Sequence, residues 1–319
     1  MTQPVQILLV GLAALVAGFV GSQYIDAGLL YLLSEALLLL FMAQMWNLLA
    51  GYGGLVSMGH QAFVGLGAYG FFALVNFGIL PLWVALPVAA ALVGLFALPL
   101  GLALFRLRNA YFSVAMWVVA EIFVILFSKF GALGGTGGIT LRPQGSSLDI
   151  PIERYVFVLA LISCVGFAMA MRWILSRPAG LAILAVRDNE EAAQAAGVNV
   201  RRLHLSLFAL SAAGCAWAGG LYYANVLYLT PTDAFQINWV IAMMFIAVVG
   251  GIGLLGGPVL GVLIFIGLRE FVTTLGLSGG IYWIVMGFIV IGILLYAPRG
   301  LWPVVAQIFK NKTIERKSA

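Results

Sequence analysis

Charged residues are scarce in this chain of 319 residues: 8% are Asp, Glu, Lys or Arg, whereas 63% are hydrophobic. The mean hydropathy is +1.11. A soluble fold of this length cannot bury so much apolar surface in one interior. The composition therefore excludes an ordinary soluble domain and predicts a membrane protein.

Reactive groups are scarce as well. The two cysteines, Cys164 and Cys215, lie in apolar segments without disulfide or metal-site spacing, which favours packing as small hydrophobes. No lysine follows a glycine, so the phosphate-binding loop G-x-x-x-x-G-K-[ST] is absent from the sequence. We expect no catalytic residue, cofactor or metal in this chain, and the dispersed net charge of +5 argues against nucleic acid as a partner.

Long hydrophobic runs fill the sequence instead. A helix needs about 20 apolar residues to cross the hydrocarbon core of a bilayer. The runs predict an all-α polytopic membrane protein of ten transmembrane helices, the first of which reads as a span rather than a cleaved leader. The predicted spans are 5–20, 28–50, 55–78, 81–104, 111–130, 155–175, 203–225, 239–255, 258–275 and 281–297.

Lys and Arg residues predict the orientation, because they are enriched in cytoplasmic loops. With both termini in the cytoplasm, 12 of the 16 basic residues lie inside and four lie outside. The inside residues are Arg106, Arg108, Arg172, Arg177, Arg187, Arg201, Arg202, Arg299, Lys310, Lys312, Arg316 and Lys317; the outside residues are Lys129, Arg142, Arg154 and Arg269. We predict one membrane domain over 1–303, an internal loop near 176–202, a glycine-rich external loop and a basic cytoplasmic tail over 304–319.

Few ionisable residues occur within the predicted spans. Arg269, Glu270 and Glu35 lie near outer ends, where a structural role at the interface is favoured. Glu121 lies in the middle of its span, so we expect it to face the interior of the bundle. It is either a polar group on a solute path or a protonated acid bonded to a neighbouring helix.

Two further patterns allow a functional and a structural interpretation. Ser57 and His60 share a helix face, and one interpretation of this pair is an intramembrane serine hydrolase. The ordinary explanation is a histidine that packs against other helices or bonds to the backbone. Glycines recur with the same spacing in "GGLVSMG" (53–59) and "GGIGLLG" (250–256). They indicate either broken helices along a pathway or close helix packing, which is the commoner cause.

The internal loop contains "RDNEEAAQAAGVNVRR", residues 187–202. Its composition predicts a short helix from Ala182 to Ala196 that stops at Gly197. We expect Arg187, Asp188, Glu190 and Glu191 on its exposed side, with Ile183, Val186 and Ala193 against another surface. The segment is either a docking helix for a cytosolic protein or a solvated loop.

At this point the sequence resembles a known family. "RDNE" followed by Ala192, Ala193 and Gly197 is similar to the cytoplasmic coupling motif of branched-chain amino acid permeases of ABC importers. "GYGGLVSMGHQAFVGLGAY", "GALGGTGGI", "GGIGLLGGPVLG" and "YAPRGLW" agree with that family in the same order, and the "RDNE" form is more like the larger of its two permease kinds. Leu181 and Leu184 depart from the pattern, because basic residues are usual there, and Gln61 replaces a smaller residue.

The resemblance implies an inner-membrane importer subunit without enzymatic activity. Its implied partners are a second, related permease, two ATP-binding subunits that hold ATP and Mg²⁺, and a periplasmic substrate-binding protein; its substrates are branched-chain or other hydrophobic amino acids. Urea, short amides or aromatic acids stay open as substrates, as does an ATP-independent secondary transporter. The implied coupling residues are Arg187, Asp188, Asn189, Glu190, Ala192, Ala193 and Gly197, and the expected pathway residues are Gly53, Gly54, Ser57, Gly59, His60, Gln61, Glu121, Gly250, Gly251 and Gly256.

Overall fold

The structure is a computed structural model that describes residues 15, 17–107, 110–142, 152–276 and 279–307. Helices dominate these residues, and the prediction of an all-α membrane fold is confirmed. The helices are α1 (Ala27–Asn47, continued by a π-helical turn, Leu48–Tyr52), α2 (Gln61–Asn76), α3 (Leu82–Leu104), α4 (Ala110–Lys129), α5 (Ile152–Leu175), α6 (Pro178–Asp188), α7 (Glu190–Ala195), α8 (Val200–Val226), α9 (Pro231–Ala234), α10 (Asn238–Gly250), α11 (Gly257–Thr274) and α12 (Gly279–Tyr296). Two short strands, β1 (Ile139–Thr140) and β2 (Tyr228–Leu229), pair antiparallel.

Seven helical segments in the described residues are long and apolar enough to cross a membrane, and an eighth is formed if α12 and Leu301–Gln307, which meet at 58°, are one span. Helix α2 is apolar but has only 16 residues, and the predicted span 5–20 lies largely outside the described residues. Ten spans with both ends in the cytoplasm therefore stay a prediction.

Helix α8 packs against α2 and α3 through residues that have little or no side chain. A Cβ on Gly67 of α2 would overlap the backbone of Ala216, and a Cβ on Gly219 would overlap the backbone of Val64. The absence of side chains at these two positions lets the helix backbones approach closely, which is how membrane helices gain packing energy. The same contact orients the first residues of α2, which lie near the site described below.

Polar contacts hold the opposite end of α2. The side chain of Asn76 donates to the carbonyl of Thr140 at 2.9 Å and accepts from the amide of Arg142 at 2.7 Å. Tyr228 in β2 donates its hydroxyl proton to the carbonyl of Gly137 at 2.6 Å. The glycine-rich loop that the sequence assigns to the outside therefore closes over this end of the bundle.

Candidate coupling site and translocation pathway

The internal loop folds into two helices, not one. Helix α6 ends at Asp188, and Asn189 adopts an extended conformation before α7 begins. The Asn189 side chain accepts a hydrogen bond from the amide of Ala192 at 3.0 Å, which caps α7. The prediction of one helix from Ala182 to Ala196 is therefore wrong, because the asparagine within "RDNE" offers a cap that ends one helix and starts the next.

The small residues of α7 divide into an exposed and a buried set. Ala193 is buried against Val186 and Val200 of the same chain, whereas Ala192 and Gly197 are exposed. The expectation that Ala193 packs against another surface is met by this chain itself. Gly197 has φ of +90°, a conformation that favours glycine, and ends α7 as the sequence predicts.

Charged side chains line the exposed edge of this segment. Arg187 and Asp188 form an ion pair at 2.8 Å, and Glu190 and Glu191 are exposed. An open polar groove of about 660 Å³ lies beside them, with Arg106, Glu190, Gln194 and Arg201 in its lining. Arg106 follows α3, so the structure places together two regions that the charge count assigns to the cytoplasm.

Asn47, at the end of α1, joins the two glycine-rich stretches. Its side chain accepts from the amide of Gly253 at 2.8 Å and donates to the carbonyl of Leu254 at 3.2 Å. A Cβ on Gly51 would lie 2.5 Å from the amide nitrogen of Gly253, so only glycine permits this approach. We call residues 51–54 and 250–254 the glycine junction. Sequence reasoning missed Asn47, although a buried asparagine before a glycine-rich break is a detectable signal.

The predicted coupling segment, residues 187–197, contacts the glycine junction through Arg187. A Cβ on Gly54 would lie 3.7 Å from the Cα of Arg187, and a Cβ on Gly253 would lie 3.3 Å from Arg187 Nη1. His204, near the start of α8, donates from Nε2 to the carbonyl of Gly53 at 3.0 Å. Helix α6 and the start of α8 therefore both contact the glycine junction.

The segment "YAPRGLW" completes the cluster. The ring of Trp302 packs against Gly256, and Gly300 packs against the backbone of Gly251. Gly250 lies against Gly257, where the chain turns from α10 into α11. Four stretches that carry the family resemblance thus meet at one end of the bundle, although they are up to 250 residues apart in sequence.

Ser57 and His60 do not form a nucleophile and base pair. His60 Nε2 lies 2.8 Å from Ser211 Oγ, which itself donates to the carbonyl of Met45 at 2.7 Å, so His60 is the donor. Ser57 Oγ accepts from the amide of Gly59 at 3.3 Å. Both polar groups are bound elsewhere, and the geometry favours a packing histidine over a hydrolase.

Gln61 is a different case. It is fully buried at the start of α2, and neither its amide nitrogen nor its amide oxygen has a hydrogen-bond partner within the described residues. Gly59, two residues earlier, packs against the carbonyl of Met116 in α4. A buried amide without partners is costly, and the place of Gln61 on a solute path stays a prediction.

Glu121 does not face the interior of this chain's bundle. It is exposed on the outer face of α4, where the indole nitrogen of Trp117 donates to Oε1 at 3.1 Å. The prediction of an inward orientation is wrong, because the inward face of α4 is taken by Phe112, Met116 and Ala120, which are buried. The structure therefore separates Glu121 from the other predicted pathway residues.

Glu35 and Arg269 form a pair that sequence reasoning missed. Arg269 donates to both carboxylate oxygens of Glu35, at 2.7 Å each, and also bonds Glu270 at 3.3 Å. Arg269 and Glu35 are both half-buried or more. Each lies a few residues from the predicted outer end of its helix, and this matched depth is the signal that could have revealed the pair. No group of three or more potential metal ligands occurs among the residues that the structure describes.

Comparison with known proteins decides the family. The family model described as "Branched-chain amino acid transport system / permease component" matches residues 28–296, which are most of the chain. The chain belongs to this permease family. The permease is thus a multi-pass membrane protein of the ABC transporter class, whose members are transport subunits.

Individual relatives agree with the family match. The permease is 24% identical to the high-affinity branched-chain amino acid transport system permease protein LivM of Escherichia coli (strain K12) over 292 residues, which are 83% of this chain and 68% of that protein. It is also 24% identical over 227 residues, 66% of each chain, to the probable branched-chain amino acid transport permease protein LivM of Methanocaldococcus jannaschii.

A shorter match is to a protein named as a sugar permease. This chain is 34% identical to the fructose import permease protein FrcC of Rhizobium meliloti over 129 residues, which are 37% of this chain and 35% of that protein. No solved structure matches the chain.

Proposed function

We propose that this permease forms half of the translocation pathway of an ATP-driven importer for branched-chain or other hydrophobic amino acids in a bacterial inner membrane. Its partners are a second, related permease, two ATP-binding subunits and a periplasmic substrate-binding protein. The observation that carries this proposal is the direct contact of α6 with the glycine junction through Arg187, next to the hydrogen bond from His204 of α8 to Gly53. ATP and Mg²⁺ bind to the partner subunits.

The mechanism follows from these contacts. Closure of the ATP-binding subunits moves the exposed edge of α6 and α7, which contains Asp188, Glu190 and Ala192. Arg187 and His204 pass this movement to Gly53 and to the ends of α1 and α10. Because the junction lacks side chains at its contacts, small displacements can change how the helix ends pack.

Two substitutions test the coupling role. Ala192→Arg places a large cation on the exposed face of α7, and Gly197→Val strains the turn after it, at a cost of about 1 kcal/mol or more. We expect both variants to lose ATP-binding subunits in a pull-down, or to hydrolyse ATP without uptake. Ala132→Arg, on an exposed residue of the glycine-rich loop, is the control. Full assembly and full uptake by both variants would leave α7 as a solvated segment.

Substrate choice requires its own experiment. The similar proteins of Escherichia coli and Methanocaldococcus jannaschii are named as branched-chain amino acid permeases, which favours branched-chain amino acids as substrates. The match to the fructose permease makes a sugar the second candidate. Titration of the cognate binding protein with leucine, isoleucine, valine and fructose should show tight binding of an aliphatic amino acid, whereas binding of the sugar alone would transfer the assignment.

Orientation is a further part of the proposal. Arg106, Arg187 and Arg299 lie at or near the glycine junction and its groove, whereas Arg142 lies beside Asn76 at the other end of α2. This grouping supports a cytoplasmic position for the glycine junction and its groove, as expected if both termini are cytoplasmic. Cysteines placed at Arg106 and at Arg142 should react with an impermeant thiol reagent from opposite sides of the membrane, and reaction from one side would refute the topology.

A further inference from the structure

The exposed carboxyl group of Glu121 lies deep within a predicted span. Glu121 is the twelfth of the 20 residues of α4, so it is about 16 Å from the first residue and about 12 Å from Lys129 at about 1.5 Å per residue. A glutamate side chain cannot reach the membrane interface over either distance. Val118 and Ile125, one turn to either side, are 50% and 60% exposed.

Exposure to lipid does not suit this carboxyl group. An ionisable side chain at the centre of the bilayer is costly unless it has partners or faces water. Among the described residues, the indole of Trp117 bonds Oε1, and Oε2 has no partner. A surface with an unsatisfied acid at this depth therefore requires water or a covering that supplies a hydrogen-bond donor.

The exposed face of α12 lacks this feature. Phe288, in the middle of α12, is 72% exposed and is surrounded along its helix by exposed Ile284, Ile291 and Leu295. That face is entirely apolar, as a lipid-facing surface should be. Glu35, by contrast with Glu121, already has Arg269 as a bidentate partner.

We infer that the face of α4 formed by Val114, Val118, Glu121, Ile122 and Ile125 is the surface on which the second, related permease packs. This inference rests on the proposed function. The occupant is a different chain from this one, because a two-fold dimer sets the same patch against itself, and two opposed Glu121 carboxyls would repel or compete for protons. The partner presents a donor, such as an amide, hydroxyl or indole, at the depth of Glu121.

Site-specific photo-crosslinking tests the surface in membranes that contain the whole complex. Benzoylphenylalanine replaces Val118 or Ile125 on α4, and Phe288 on α12 as a control at similar depth. We expect an adduct with the second permease from both α4 positions and none from Phe288. Adducts from Phe288 alone, adducts between two copies of this chain, or only lipid adducts from α4 would overturn the inference.

Two variants of Glu121 test whether the second permease donates a hydrogen bond to this side chain. Glu121→Gln keeps a hydrogen-bonding group and should retain the second permease in a detergent pull-down. Glu121→Leu suits lipid but leaves the partner's donor unpaired, so recovery should fall roughly 3- to 20-fold, the range for hydrogen bonds between membrane helices. Equal recovery with leucine would contradict the inference.

The ATP-binding subunits provide an independent readout. If they co-purify with the chain while α4 gives no adduct with the second permease, this inference fails and the proposed function stands. If the complex forms without any ATP-binding subunit, the proposed function itself fails.

Discussion

Replacement of Gly51 by alanine tests whether close backbone contact holds the glycine junction together. A Cβ at this position would lie 2.5 Å from the amide nitrogen and 2.9 Å from the Cα of Gly253, and it would also overlap Asn47 Oδ1. Asn47 Oδ1 is the acceptor for the Gly253 amide. One added methyl group therefore separates two backbone segments and removes the hydrogen bond that joins them.

The loss of stability caused by Gly51→Ala can be estimated from these distances. The obstructing atoms belong to the backbone of Gly253, which has no side chain to rotate away, so relief requires a shift of the whole junction. Overpacking of this kind costs about 1–3 kcal/mol, and loss of the hydrogen bond costs about 0.5–1.5 kcal/mol. Reduced freedom of the unfolded chain returns about 0.4–1 kcal/mol, which leaves a net loss of stability of about 0.5–4 kcal/mol.

The assay compares Gly51→Ala with Gly166→Ala. Gly166 lies within α5, and a Cβ there meets no atom within 4 Å. We expect Gly51→Ala to lose its monodisperse peak in detergent at a lower temperature than the wild type and to reduce ATP-driven uptake, whereas Gly166→Ala changes neither. Equal behaviour of the two variants would refute the reasoning about the junction.

Two other predictions address the remaining polar groups. Ser57→Ala should keep full uptake, because Ser57 Oγ bonds only the nearby amide of Gly59; abolished uptake in an intact complex would revive a chemical role. Arg269→Met should destabilise the permease by about 1.5–3 kcal/mol because it leaves the partly buried Glu35 without its bidentate partner. The double variant with Glu35→Leu should recover most of that loss in thermal unfolding, and failure to recover would assign the pair another role.

Many of the helices could be predicted from the lengths of the apolar runs alone, because a span is defined by its length and its apolar character. The ends of the helices were less predictable. The predicted span 55–78 begins at Gln61 in the structure, because residues 53–60 form a non-helical connection with Gly54 at a φ of +73°. Such breaks depend on contacts with distant segments, which a hydropathy profile does not contain.

The candidate site could be predicted only in part, because some of its features are local in sequence and others depend on how the helices pack. The coupling segment is recognisable from local residue types, and Gly197 occupies its predicted position at the end of α7. The burial of Ala193 by Val186 and Val200 and the outward direction of Glu121 depend on helix rotation. Rotation is set by which neighbour each face meets, and an apolar helix such as α4 has too few polar residues to indicate its faces from sequence.

We propose that ATP hydrolysis on partner subunits drives transport through this permease by way of α6 and α7. The most direct measurement is substrate uptake by proteoliposomes that contain this chain, the second permease, the ATP-binding subunits and the binding protein. We expect uptake with ATP and none with a non-hydrolysable analogue. Uptake by this chain alone, without ATP or driven by an imposed proton or sodium gradient, would contradict it.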